Sequence, residues 1–550
     1  MKDKNTLTGL LEESTEKFGD RLALASIDKE TFTYSQLNEL KLKISFWLSE
    51  QGLKKGDKVA ILAENSPNWV SIFFGAVTTG IVTVPILPDF SSNEVNSILE
   101  HSDSRILFIS KRILNRHGER LLFERKHVVI TDDLTLLEDG SSLIEYAEKS
   151  SYNSFTPESV EPEDVANIIY TSGTTGRSKG VMLTHENLTY EAEKVLLVQD
   201  VNETDVFLSL LPLSHVYENV LGMILPLKQG ASVYYMHKLP TPSVLIGAMN
   251  KVHPTMILMV PLIIEKIYAT RILPELTKNR ILRGAMHVWP IRHLLHNKAG
   301  KRLKKAFGGR IRFLGVGGAP LNPKTERFLR DAGFPYSCGY GLTETSSLIF
   351  ASKVGKVKFG SVGKPLNGLE YRIIRPTAKS KEGEVVVKWK GNMKGYYKEP
   401  GITESVLTAG NWFHTGDLAE MENGNMYIRG RSKTMILGPS GENIYPEEIE
   451  SVLNRMEGVI ESLVYEAKGK IVAKVYLNTE ELSKKYAFFK EAASYHSGEV
   501  HHKLSNYLTD MRKKLNDHLG KYSQVYKLEL VSHPFEKTPT HKIKRHLYKG

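Results

Sequence analysis

A chain of 550 residues exceeds the roughly 100 to 200 usual for one domain, so a large body with at least one further domain is expected. Its 41% hydrophobic and 25% charged content is that of a globular protein and excludes a disordered, collagen-like or disulfide-scaffold chain. The net charge of +11 favours anionic partners such as nucleotides, nucleic acid or an acidic membrane surface, and the single cysteine, Cys338, excludes an intrachain disulfide and a thiolate metal cluster.

Residues 1–16 mix charges of both signs and lack the apolar core of a secretory signal. No apolar run reaches about 18 residues, the minimum for a membrane-spanning helix. A cytoplasmic location, or one peripheral to the inner face of a membrane, is expected. Leu37, Leu40, Ile44, Trp47 and Leu48 predict a helix over residues 34–51. Runs rich in β-branched and aromatic residues predict buried strands at 58–62, 165–170, 206–211, 255–260 and 311–316. Helical patterns between them predict an α/β fold of stacked, mostly parallel sheets covered by helices. From Gly368 short alternating strands, as at 384–387 and 425–428, predict a barrel-like third layer. A compact α+β unit is expected beyond, with helices at 446–454 and 501–518. The boundary is set within 431–433, giving domains 1–431 and 432–550.

The most informative segment, YTSGTTGRSKG over residues 170–180, directly follows a predicted strand. Gly173, Gly176 and Gly180 let backbone N–H groups approach an anion; Thr171, Ser172, Thr174 and Thr175 add hydroxyls and Lys179 a charge. A Walker A loop requires Gly immediately before the lysine, where this chain has Ser178. A Gly/Thr-rich surface turn is the bland alternative. The segment resembles the signature TSGTTGxPKG of the adenylate-forming superfamily, which contains acyl-CoA synthetases, firefly luciferase and peptide-synthetase adenylation domains. Ser178 replaces the usual proline, which bears on loop stiffness more than on phosphate contacts.

Further elements that resemble the family's occur in its order. In GYGLTET, residues 339–345, the resemblance implies that Tyr340 stacks on adenine with Gly341 beside it. Thr343 would contact the α-phosphate and Glu344 would help hold magnesium, a role that suits a hard oxygen ligand. In VGGAP, residues 316–320, Gly317 would line the acyl pocket, and Gly318, Ala319 and Pro320 the nucleotide pocket. In WFHTGDL, residues 412–418, Asp417 would receive the ribose hydroxyls. Arg431 would contact ribose or phosphate and Lys433 would be the hinge. In KTPTHKIKR, residues 537–545, Lys542 would be the catalytic lysine, although His541 stands where glycine is usual. In LPLSHVYE, residues 211–218, His215 would bind or gate the acyl substrate; a satisfied core histidine is the equal alternative.

The resemblance implies a large N-terminal domain of stacked sheets plus a distorted β-barrel, and a small mobile α+β C-terminal domain. It also implies an acid–thiol ligase using ATP, Mg²⁺ and coenzyme A. LPLSHVYE, the basic run into GGAPLNP and the length most resemble long-chain fatty-acid CoA ligases. A carrier-protein acceptor, a medium-chain or aromatic acid, and a non-catalytic nucleotide-binding protein are the alternatives. No nucleic-acid-reading motif is present. Residues 281–303 mix Trp289, Ile291, Leu294 and Leu295 with basic residues, so both a membrane-surface helix and a packing helix are open.

Overall fold

The structure is a computed structural model that describes residues 4–121, 128–150, 152–172, 178–236, 241–377, 380–437, 443–467, 469–483, 486, 498–520, 523–538 and 543–548. Two large sheets form the body. The first has nine strands; its inner strands Tyr336–Tyr340, Phe313–Val316, Met256–Met259, Val206–Ser209, Ser232–Tyr235 and Leu22–Ser26 run parallel. The second has eight, with Val165–Ser172, Val82–Pro85, Lys58–Leu62, Ser104–Ile109 and Val128–Ile130 parallel to one another. The stacked α/β body read from the alternation is therefore observed.

Helix Pro67–Val77 carries the core of this body. Ser66 caps its first turn and Pro67 supplies a preset φ at the start. Trp69, Val70, Ile72, Phe73, Phe74, Ala76 and Val77 are all fully enclosed, and each large one contributes about 1.5–3 kcal/mol of burial. Its partner, helix Tyr34–Glu50, starts at a reciprocal cap between Thr33 and Gln36. The two approach so closely that a Cβ on Gly75 would stand 2.6 Å from Ile44 Cγ2.

The barrel-like layer expected after Gly368 is a five-stranded antiparallel sheet built from Glu370–Ile374, Gly383–Lys388, Leu407–Thr408, Trp412–Glu422 and Asn425–Arg431. Beyond it, strands Val459–Ala467, Lys470–Leu477 and Lys527–Leu530 form a small sheet. Helices Pro446–Leu453 and Gly498–Asn516 accompany it, and Ile449, Leu453, Val464, Val475 and Leu515 belong to a separate apolar cluster.

Three predicted strands are shorter than their hydrophobic runs; that at 255–260 loses one residue at each end, leaving Met256–Met259. The run 206–211 stops at Ser209 because the Asn65 side chain takes over: it donates to the Leu211 carbonyl at 2.6 Å and accepts from Leu213 N–H at 2.8 Å. The run 311–316 begins only at Phe313; there the Arg312 and Phe313 N–H groups both go to the Thr255 carbonyl, at 2.9 and 3.1 Å, so the ladder is irregular before Phe313. No helix among the described residues is long and apolar enough to cross a membrane.

Candidate active site

The GYGLTET element lies at the carboxyl end of strand Tyr336–Tyr340, where a parallel sheet opens towards ligands. The chain folds back so tightly that a Cβ on Gly341 would fall 1.6 Å from the Ser347 carbonyl oxygen. Only glycine fits there. Thr343 and Glu344 sit on the one-turn 3-10 helix Thr343–Thr345 that follows. The Glu344 carbonyl accepts Met393 N–H at 2.8 Å, and Glu191 anchors the same turn by accepting Leu348 N–H at 2.8 Å and Trp389 Nε1–H at 3.1 Å. Burial raises the Glu191 carboxyl well above the usual range.

Two further layers meet this turn. In the antiparallel pair of Trp412–Glu422 with Asn425–Arg431, Asp417 stands opposite Arg431, with Arg431 Nε 2.9 Å from Asp417 Oδ1. The Tyr340 hydroxyl donates to the other oxygen, Oδ2, at 2.6 Å. Asp417 is only 5% exposed. Arg431 is raised in pKa chiefly by the Asp417 charge, and both Tyr340 and Glu344 act in the same direction. Burial, and then Asp417, push the Tyr340 hydroxyl well up, so the phenol stays protonated as donor.

The phosphate-loop segment arrives from the second sheet. Thr171 pairs with Lys179, and Ser172 with Ser178, in the ladder of Val165–Ser172 against Ser178–Thr184. Strand Gly395–Tyr396 joins the other edge of Ser178–Thr184. The Lys179 ammonium lies 5.1 Å from the Tyr396 ring centroid, and the Tyr396 hydroxyl donates to Glu344 Oε1 at 2.9 Å. Lys179 and Glu344 thus share one tyrosine. Gly173, Thr174, Thr175 and Gly176, and likewise Lys542, lie outside the described residues.

Strand Phe313–Val316 delivers Gly317, buried, and Gly318, Ala319 and Pro320, exposed. Gly318 has φ +83°, a left-handed conformation that favours glycine. Tyr217 packs along this strand: a Cβ on Gly315 would meet its hydroxyl at 3.0 Å, and one on Gly317 would meet its ring at 3.5 Å. His215 caps the short helix Val216–Glu218, with Nδ1 accepting Tyr217 N–H at 3.3 Å. Glu218 is buried, accepts the Ser209 hydroxyl at 2.6 Å, and is raised by burial to about 8.

Lys433 is exposed in a turn after Arg431 in which Thr434 and Met435 N–H groups bond the Arg431 carbonyl at 3.1 and 3.0 Å. On the far side of 539–542, Arg545 binds Glu450, and Lys544 Nζ stands 3.6 Å from Glu94 at the start of helix Ser92–Ser102. Lys537 and Ile543 close an antiparallel bridge across that gap.

Among the described residues no group of three or more His, Cys, Asp and Glu is arranged to hold a metal. The single carboxylate of Glu344 fits Mg²⁺, which binds through one or two carboxylates plus substrate phosphates. Tyr396 and Glu191 carried no motif that marked them in the sequence. Glu191, an acid among Leu188, Ala192 and Val195 on one helix, is the one whose pattern held a signal.

The stacked body, the turn after Gly341 and the Asp417–Arg431 pair together fit an adenylate-forming fold. The chain belongs to the AMP-binding enzyme family, whose family model matches residues 11–397. It is 29% identical to long chain acyl-CoA synthetase 1 of Arabidopsis thaliana over 533 residues, covering 87% of this chain and 80% of that one. It is 28% identical to a chloroplastic long-chain-fatty-acid–[acyl-carrier-protein] ligase of the same plant, over 82% of this chain and 73% of that one. Among solved structures, o-succinylbenzoate CoA synthetase from Bacillus subtilis with its acyl-adenylate intermediate superimposes with TM-score 0.73 at 25% identity, covering 98% of each chain.

Proposed function

We propose that this chain is an AMP-forming acid–CoA ligase whose acid is a long-chain fatty acid. The observation that carries the reading is the convergence of Tyr340, Asp417 and Arg431 beside the Glu344 turn, the part a nucleotide would occupy. Asp417 retains lone pairs for ribose hydroxyls while Tyr340 and Arg431 hold its two oxygens in place. Thr343 would donate to the α-phosphate. Thr171 and Lys179 would face the outer phosphates together with Ser172 and 173–176. When bound, Mg²⁺ would supply charge neutralisation for the phosphates, with Glu344 as its protein ligand.

The chemistry has two steps. A carboxylate oxygen of the acid attacks the α-phosphorus, the bond to the bridging oxygen of pyrophosphate breaks, and acyl-AMP forms. The coenzyme A sulfur then attacks the acyl carbonyl, losing its proton, and AMP leaves with the former carboxylate oxygen. Lys542 would stabilise the charge developing in the first step. The unit 432–550 would then turn about Lys433, so that one face serves each half-reaction. No enzyme nucleophile is required, and the buried Cys338 thiol, pushed up to about 12 by burial, suits packing rather than attack.

A long-chain acid is supported by the 29% identical acyl-CoA synthetase and by the LPLSHVYE run, where Tyr217 and His215 border Gly317. The second reading, delivery to a carrier-protein thiol, is favoured by the 28% identical carrier-protein ligase. A pyrophosphate-release screen over short, medium, long-chain and aromatic acids, with and without coenzyme A, tests both. The expected result is release with long-chain acids and AMP formation that needs coenzyme A. Turnover with a carrier protein but not with coenzyme A selects the second reading; release with no acid removes both.

A further inference from the structure

Thirteen large hydrophobic side chains stand exposed among the described residues, and five of them fall between Ile281 and Leu294. Ile281 is 82% exposed, Leu294 71% and Trp289 66%, with Val288 and Ile291 also exposed. They belong to helices Arg280–Ala285 and Trp289–Ala306 and the turn between. The inner face of the longer helix is committed: His296, Ala299, Gly300 and Leu303 are buried. There a Cβ on Gly300 would lie 2.6 Å from that of Ala332, and Asp331 takes Arg292 and His296 at 3.1 and 3.2 Å. At 100° per residue the opposite face presents Ile291 and Leu294 first, then Lys298, Lys301 and Lys305.

Charge singles out the same stretch. Residues 276–325 contain twelve Lys and Arg and no Asp or Glu, whereas the rest of the chain carries 61 basic against 62 acidic side chains. The whole positive excess of the molecule therefore sits in these fifty residues. Arg292, Arg302 and Arg312 are spent on Asp331, Glu275 and Asp205; the lysines of the outer face follow the apolar tip.

We propose that this face docks on an anionic lipid surface. Ile281, Trp289, Ile291 and Leu294 enter the boundary between headgroups and acyl chains, and Lys298, Lys301 and Lys305 meet the phosphate layer. A nucleic acid would use the charge but gain nothing from protruding Ile and Leu. A second copy would bring like charge against like. The inference does not rest on which acid the enzyme takes.

The test is flotation of the full chain with phosphatidylcholine vesicles, with and without phosphatidylglycerol. Co-flotation with the anionic vesicles alone, weakening as salt rises, is expected. Ile281→Ser with Leu294→Ser should weaken it about tenfold or more, and each of Lys298→Gln, Lys301→Gln and Lys305→Gln about fivefold. Emission should shift to the blue on vesicle addition in the parent but not in Trp289→Phe. All variants should keep adenylation of a soluble acid within about twofold, since these side chains lie on the exposed outer face. Absence of flotation overturns the proposal, as does flotation that neither set of variants weakens. So does a dimer that Ile281→Ser disrupts without vesicle binding, or retention on DNA alone.

Discussion

The Tyr340 hydroxyl donates to Asp417 Oδ2 at 2.6 Å, joining the end of a parallel strand of the nine-stranded sheet to the antiparallel hairpin of the third layer. With Arg431 on the other oxygen, the carboxylate is fixed from two elements before any ligand arrives.

Removing either end of this bond should cost binding of the nucleotide. Asp417→Asn is expected to lower kcat/KM for ATP about 10- to 100-fold, the worth of a hydrogen bond to a charged group. Tyr340→Phe should cost about fivefold. Because both act through one carboxylate, the double variant should lose less than the product of the single losses, a coupling of about 1 kcal/mol. ATP titration of pyrophosphate release measures all three; strict additivity contradicts the shared role.

Tyr396 orients Glu344 at 2.9 Å while its ring lies under Lys179. Tyr396→Phe keeps the ring and deletes the bond, so the Mg²⁺ concentration for half-maximal adenylation should rise about tenfold, as for other residues that orient a metal ligand. The apparent constant for the acid should stay unchanged. An unaltered Mg²⁺ curve would remove Tyr396 from the metal side of the site.

Glu218 gives a pH signature. Its folded-state value of about 8 stands above that of an unfolded glutamate, so between about pH 4.5 and 8 the folded state holds a proton that the unfolded chain releases. The contribution to stability is full at the acid end of that window. It is lost as pH rises, with a slope approaching about 1.4 kcal/mol per unit. Glu218→Gln should flatten the fall of Tm across the window; parallel Tm curves for parent and variant would contradict this.

Much of this was legible in the chain. The runs at 58–62 and 165–170 read as strands because continuous apolar β-branched residues are what a sheet buried on both faces needs. The motif order singled out Tyr340, Glu344, Asp417 and Arg431, and the fold brings these four side chains together. What escaped was contact between distant segments. Nothing near Tyr396 announces that it will reach Glu344, 52 residues earlier. Equally, no local pattern tells that Asn65 ends the strand at Ser209, or that the Arg312 and Phe313 N–H groups share the Thr255 carbonyl. Those outcomes are set by packing of whole layers, which periodicity along one segment does not encode.

Separation of the half-reactions tests the assignment of Lys542. Lys542→Ala should reduce acyl-AMP formation about 100-fold or more, the scale of a lost charge-stabilising donor. Thioester formation from supplied acyl-AMP should persist. Equal loss in both assays would reject a lysine that serves the first step alone.

The acid is expected to be activated as its adenylate and passed to coenzyme A. This is tested most directly with a fatty acid labelled with ¹⁸O in both carboxylate oxygens, turned over with ATP, Mg²⁺ and coenzyme A. The predicted result is AMP carrying one ¹⁸O and pyrophosphate carrying none. Label in inorganic phosphate with ADP as product, or unlabelled AMP beside labelled thioester, would contradict the account.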